Sequence, residues 1–137
     1  MIRRRKIWLV MLAVAVVVGL GLYLFLSLQP LTITVVNDTA STLEGVAMVS
    51  ASGFRTAVPN VPAGESVTVR PRLGTSDDDL AMVDSVGTRY PVLGYVTGNP
   101  GGKVVVTIAG SDSAGLKGNV SVQTDAQPDG EFALERQ

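Results

Sequence analysis

The sequence contains no cysteine and no histidine. Without cysteine the chain has no disulfide, no thiol nucleophile and no thiolate ligand for a metal. Without histidine it lacks the commonest general base and the commonest metal ligand in proteins. These two absences remove most of the familiar hydrolase and metalloenzyme chemistries, and the expected cofactor set is empty.

Aromatic side chains are also scarce beyond residue 30, where they are Phe54, Tyr90, Tyr95 and Phe132. So few aromatic side chains argue against a surface that stacks on the bases of single-stranded nucleic acid. The same part of the chain carries seven cations against all twelve acids, a net charge of −5, so no nucleic-acid partner is expected. Tyr90 and Tyr95 are five residues apart and belong on opposite faces of a strand, one in the core and the other on the surface.

A long hydrophobic run is present, however, from Ile7 to Leu28, and it contains no charged residue. Its 22 residues would span about 33 Å as a helix, against about 30 Å for the hydrocarbon core of a bilayer. The four residues before it, Arg3, Arg4, Arg5 and Lys6, are all cationic. Trp8 and Tyr23 are placed to lie at the two membrane interfaces.

The run is longer than the apolar core of a signal peptide, which is about 7 to 15 residues. The C-terminal end of the run and the residues that follow it, Leu26 to Pro30, contain no small-x-small cleavage site. The sequence therefore predicts an uncleaved anchor at 7-28 that binds the lipid bilayer, with residues 1-6 as a cytoplasmic basic tail and the rest outside the cytoplasm. Ala15 and Gly19 form a small-xxx-small pair that is a candidate for helix packing.

From Leu31 the hydrophobic period changes to two, which is typical of strands. Strands are predicted at residues 31–36, 42–50, 54–58, 65–70, 80–84, 88–97, 103–109 and 116–124. Val67 and Val69 should face inward, as should Val104, Val106, Ile108, Val120 and Val122. Residues 110–115 are predicted as a loop, and residues 125-137 as a polar C-terminal tail.

Pro91 and Gly94 interrupt the 88–97 strand, so a bulge or a sheet edge is expected there. Seven to nine short strands with regular turns predict an Ig-like antiparallel β-sandwich for residues 31-124. A small barrel is the alternative. The Ig disulfide and core tryptophan are both missing, since the one tryptophan is Trp8.

Three segments, ITVVNDT at 33–39, NVPAGESVTV at 60–69 and YPVLGYVTGNPGGKVVVTI at 90–108, carry a resemblance. They resemble small bacterial proteins with one membrane span and a short Ig-like β-sandwich ectodomain, over about residues 31–109. The resemblance implies a bacterial cell membrane and the same two-part architecture. Many such proteins have no assigned activity, so it implies no catalytic residues.

The densest acidic group is Asp77, Asp78 and Asp79, with Asp84 nearby. Carboxylates at this spacing are weak candidates for a Ca²⁺ site, but the DxDxDG pattern is absent and a solvated loop is the simpler interpretation. The segment NPGGK at 99–103 lacks the serine or threonine and the following helix of a phosphate loop, so it predicts a hairpin turn.

No catalytic constellation emerges, so the chain is not expected to be an enzyme. We expect a non-catalytic protein-interaction or accessory subunit of a membrane or envelope complex, held beside the bilayer by a very short connection. One alternative is a structural subunit of a surface filament or array. A second is an enzyme or ligand-binding domain with a carboxylate pair brought together by the fold. The sequence leaves open whether the protein self-associates.

Overall fold

The computed structural model describes residues 2–27, 31–74, 78–96, 101–124 and 129–137. Its first element is a helix, α1 (Ile2–Ser27). The helix begins earlier than the predicted span because arginine and lysine are good helix formers. Within the described residues, one helix, at Arg3–Phe25, is long and apolar enough to cross a membrane, a test that a signal sequence also passes.

The remainder of the described chain is almost entirely β-structure. Its strands are β1 (Thr32–Asn37), β2 (Ala47–Ser50), β3 (Arg55–Ala57), β4 (Ser66–Val69), β5 (Asp78–Val83), β6 (Arg89–Val96), β7 (Gly102–Asp112), β8 (Gly115–Thr124) and β9 (Gly130–Ala133). They form a five-stranded sheet in the order β4-β1-β7-β8-β9 and a four-stranded sheet in the order β3-β2-β5-β6. The predicted architecture of one apolar helix and an all-β body is confirmed.

One pair of strands corrects the antiparallel prediction. β1 and β7 run parallel, from Thr32 opposite Lys103 to Asn37 opposite Ile108. Alternating hydrophobic residues decide which face of a strand is buried but not which way the strand runs. Because the second sheet lies between β1 and β7 in the chain, no short hairpin dictates their direction.

One hydrophobic cluster is shared by the two sheets. The inward alternation is confirmed for Val104, Val106 and Ile108, whose side chains are fully buried, and Val69 is buried whereas Val67 packs half-buried against the cluster. Its largest fully buried members are Tyr90, Ile33, Met48, Leu80, Met82, Leu93 and Ile108. Burial of such side chains contributes about 1.5–3 kcal/mol each and is the main stabilising term of the body.

The expectation at Pro91 and Gly94 is also confirmed. β6 is an edge strand, and its pairing with β5 is irregular between the Leu80–Leu93 and Ala81–Pro91 pairs. Proline has no N–H to donate, so it is tolerated at an edge where no partner strand accepts from it.

Two predictions about chain ends and loops are wrong. The predicted loop at 110–115 is a tight turn between long strands, in which the Asp112 carboxylate accepts from the Ala114 amide at 2.8 Å. In the predicted polar tail, β9 pairs with β8 and Leu134 is buried in the core. The Gln137 amide then donates to the Arg89 carbonyl at 2.9 Å. A four-residue strand is too short for its alternation to be recognised beside polar neighbours.

Candidate functional site

The predicted anchor residues lie on the surface of α1. Residues 3–6 are exposed, and Trp8 and Tyr23 are 76% and 68% exposed. Ala15 and Gly19 are exposed too, and a methyl group added at Gly19 would meet no atom within 4 Å. The helix therefore presents its apolar surface away from the body, and the packing role of the small pair stays a prediction.

The predicted acidic cluster is divided by the fold. Asp77 lies outside the described residues. Asp78 is buried at the start of β5, whereas Asp79 is exposed. Among the described residues, no group of three potential ligands is arranged to hold a metal ion. The candidate Ca²⁺ site is therefore reduced to one buried carboxylate and its neighbours.

The Asp78 carboxylate organises the segment around it. It accepts hydrogen bonds from the amide and hydroxyl of Ser52, from the Gly74 amide at 2.7 Å and from the Asp79 amide at 2.9 Å. Burial alone raises the pKa of this carboxyl, but the four hydrogen bonds outweigh burial and lower the pKa from 3.8 to about 2. Asp78 is thus an ionised structural group that joins the β2–β3 turn to the chain before β5.

We predict that Asp78→Asn lowers the free energy of unfolding by about 1–3 kcal/mol, because the amide nitrogen faces donors that it cannot accept from. The wild-type body should also lose stability as the pH falls from 3.8 towards 2, because the unfolded state then binds the proton more readily. Denaturant unfolding at several pH values measures both effects. Asp79→Asn is the matched control, and equal losses in the two variants would contradict the assigned role.

A second polar network joins the two sheets at Tyr90. The Tyr90 hydroxyl donates to Asp84 Oδ2 at 3.0 Å and accepts from the Leu116 amide at 2.7 Å. Asp84 Oδ1 accepts from the amides of Val86 and Thr88 and so shapes the β5–β6 turn. Burial raises the pKa of Tyr90, the Leu116 hydrogen bond opposes that rise, and Asp84 adds to it. Of the two tyrosines predicted to lie on opposite faces, Tyr90 is the one in the core, and the Tyr95 side chain lies outside the described part.

Replacing Tyr90 by phenylalanine should lower the free energy of unfolding by about 1–3 kcal/mol, because a part-buried amide and a buried carboxylate each lose a partner. A double-mutant cycle with Asp84→Asn isolates the hydroxyl–carboxylate interaction. Strictly additive losses in the cycle would show that the two groups do not interact.

Asn37, at the end of β1, is a third buried polar centre, which sequence reasoning missed. Its amide nitrogen donates to the carbonyls of Ser41 and Val61, both at 2.8 Å. Its oxygen accepts from the amide and the hydroxyl of Thr39. Asparagine before a turn was the available signal, but the sequence does not show that the side chain is fully buried.

The two sheets differ in the surfaces that face away from the core. By register, the outer face of the four-stranded sheet carries Ala47, Val49, Ala57, Ala81 and Val83 together with Arg55 and Arg89. Ala47, Ala81 and Val83 are nevertheless buried, whereas Ala57 and the two arginines are exposed. The five-stranded sheet presents Thr32, Thr34, Thr68, Thr107 and Ser121 on its own outer face. The exposed part of the outer face of the four-stranded sheet is therefore charged as well as apolar, and the outer face of the five-stranded sheet carries hydroxyl groups beside Val36 and Val105.

Two concavities open on the body. A groove of about 280 Å³ lies along β5 and β6, and its lining includes Asp79, Arg89 and Gln137. A recess of about 330 Å³ lies where the β5–β6 and β7–β8 turns meet residues 39–44, and its lining is mostly polar. The polar lining of the recess consists of serine and threonine hydroxyls and the Glu44 carboxylate.

Comparison with known proteins assigns no family. No family model matches the chain, and no curated protein does. A solved structure described as the NMR structure of the protein from Eubacterium rectale aligns with 76% of this chain and 93% of its own, at 16% identity and a TM-score of 0.39. A likeness at that score supports no statement about fold or function.

Proposed function

We propose that this protein is a membrane-anchored, extracytoplasmic β-sandwich module that acts as a non-catalytic interaction or accessory subunit of a membrane or envelope complex. The observation that carries the proposal is the exposed apolar surface of α1. No part of its apolar stretch is buried against the body. In water that surface would be unfavourable at about 25 cal/mol per Å², whereas lipid stabilises it.

The proposed orientation rests on charge. The four cations at residues 3–6 precede the apolar stretch, and cationic flanks are retained on the cytoplasmic side. The N-terminus is then inside the cell and the β-body outside. An Ig-like sandwich is proposed for the body because two sheets bury one common core, and it agrees with the resemblance to small bacterial single-span proteins.

The non-catalytic part of the proposal rests on the roles of the carboxylates. Asp78 and Asp84 are the buried acids of the described chain, and both are engaged by hydrogen bonds that shape turns. Neither histidine nor cysteine is available to activate a hydroxyl.

The proposed docking surface is the outer face of the four-stranded sheet, where Val49 is half-buried and Arg55, Ala57 and Arg89 are exposed. The proposed partner is another membrane protein. Only residues 28–30 separate α1 from Leu31, so the body stays within about 14 Å of the helix end. A surface held this close to the bilayer is more accessible to integral membrane proteins than to soluble proteins.

Crosslinking in cells tests the proposal. A photoreactive amino acid at Val49, on the outer face of the four-stranded sheet, should give a discrete adduct with a membrane protein. The same group at Thr107, on the outer face of the five-stranded sheet, is the matched control and should give little. An adduct with a second copy of the chain would favour the filament or array. No adduct at Val49, together with a monomer in several mild detergents, would contradict an accessory subunit.

A further inference from the structure

The near end of the body, defined as the end at which β1 begins, carries a group of cations. Lys103 lies directly opposite Thr32 in the β1–β7 pair. On the other side of β1, Val69 lies opposite Ile33, so Arg70 follows level with Thr32. Strands are about 4.8 Å apart, which places Arg70 and Lys103 about 10 Å from each other across β1.

These cations point outward, and none of them has a carboxylate partner among the described residues. Val69 and Val104 are buried, and the alternating neighbours Arg70 and Lys103 are exposed. Arg72 is also exposed, and its guanidinium is held 4.5 Å from the centre of the Phe54 ring. Within the described ranges the one ion pair joins Lys117 to Asp112, and it lies at the opposite end of β7 and β8.

Acidic residues lie mainly at the opposite end of the body from these cations. The far end, where β1 and β7 finish, carries Asp38, Glu44, Glu65 and Asp112. The described acids of the near end lie off the β4-β1-β7 strands: Asp78 and Asp79 begin β5 in the other sheet, and Asp129 precedes β9, two strands beyond β7. The cations therefore form a local patch on one side of the near end.

Chain geometry brings this patch to the membrane if α1 is the anchor. Five peptide steps separate Ser27 from Thr32, which limits their separation to about 18 Å. The patch lies beside Thr32 and is thus close to the plane at which the helix leaves the lipid. Exposed cations near an anionic surface are attracted to it within about one Debye length, near 10 Å at 0.1 M salt.

We propose that Arg70, Arg72 and Lys103 form a binding surface for anionic phospholipid headgroups of the bilayer that holds α1. The inference rests on the proposed anchoring of α1 and adds that the near end of the body binds the surface of the same bilayer. Arginine and lysine bind phosphate oxygens by charge-assisted hydrogen bonds. The contact would fix the tilt of the body and keep the outer face of the four-stranded sheet in one orientation towards a partner.

Full-length protein in vesicles tests this surface. Because the chain has no cysteine, a fluorophore can be attached at one introduced site. Ala51→Cys, in the exposed β2–β3 turn, reports on the near end, and Val86→Cys, in the β5–β6 turn, reports on the far end. The quencher is a nitroxide on the phosphatidylcholine headgroup. Quenching at residue 51 should be greater in equimolar phosphatidylcholine and phosphatidylglycerol than in phosphatidylcholine alone, and high salt should abolish the difference.

Removal of two charges gives the size of the effect. The double variant R70Q/K103Q should shift the balance between bilayer-bound and detached orientations about 30-fold towards detachment, at about fivefold per cation. R89Q/K117Q removes the same charge from the far end and should leave quenching at residue 51 unchanged. Equal effects of the two double variants would overturn the assignment to the near end.

A third label separates this inference from the anchoring on which it depends. A fluorophore at Val14→Cys should be quenched by an acyl-chain nitroxide in both lipid compositions. If that label is quenched while quenching at residue 51 does not change with phosphatidylglycerol, the proposed lipid-binding surface is wrong and the proposed anchor is retained. Binding of soluble polyphosphate instead would assign the patch to a free polyanion and overturn it as well. If the Val14 label is not quenched, the anchor itself is wrong.

Discussion

Replacing Gly118 by alanine should lower the free energy of unfolding of the β-body by about 3 kcal/mol or more. A Cβ at this position would overlap the carbonyl oxygen of Thr107 and approach the Thr107 carbonyl carbon to 2.9 Å and the Ile108 Cα to 3.1 Å. These are backbone atoms of the neighbouring strand and cannot rotate away. The pairing also shifts register here, so the central β7–β8 ladder would have to open.

Gly110→Ala is the matched control. Gly110 lies on the same irregular stretch of β7, but an added Cβ there meets no atom within 4 Å. Its effect should be within about 0.5 kcal/mol. Denaturant unfolding in detergent should be followed by the near-ultraviolet signal of tyrosine, because the one tryptophan, Trp8, lies in α1. Similar losses in the two variants would contradict the close approach of β7 and β8.

Asn37→Asp should also cost about 3 kcal/mol or more at neutral pH. The substitution keeps the shape of the side chain but removes both hydrogen bonds donated to Ser41 and Val61, and it places a carboxylate where the side chain is fully buried. Burial would raise the pKa of that carboxyl above its unfolded value. The loss of stability should therefore shrink as the pH falls, because the neutral acid donates one hydrogen bond again.

Asn119→Asp makes the same chemical change at an exposed position of β8 and should be close to neutral. Unfolding curves of the two variants from neutral to mildly acidic pH provide the comparison. A loss at Asn37 that does not depend on pH would show that the side chain is solvated and does not hold residues 38–44 in place.

The apolar run and the strand alternation were predicted from the sequence because both depend on local pattern. Charge-free residues after a basic cluster indicate a spanning helix, and the branched residues Val104, Val106 and Ile108 at every second position indicate an inward face. Pro91 similarly indicated a sheet edge, since a missing N–H excludes an interior position. In each case the physical constraint acts on neighbouring residues.

Features that depend on distant parts of the chain were not predicted. The parallel pairing of β1 with β7 joins strands about 70 residues apart, and no local signal gives its direction. The acidic run at 77–79 gave no indication that Asp78 would be buried among donors from Ser52 and Gly74. Buried Leu134 was missed for the same reason, because its amide donates to the Gly118 carbonyl of β8. One acceptor of buried Asn37 is likewise distant in sequence, the carbonyl of Val61.

Labelling of single cysteines in intact cells tests the central claim most directly, because the natural chain contains none. A membrane-impermeant maleimide should modify Val86→Cys, an 84% exposed position in the body, before permeabilisation, and Arg4→Cys only after it. The labelled protein should retain α1 and sediment with membranes. Labelling of Val86→Cys only after permeabilisation, or a soluble mature protein that lacks α1, would contradict the account.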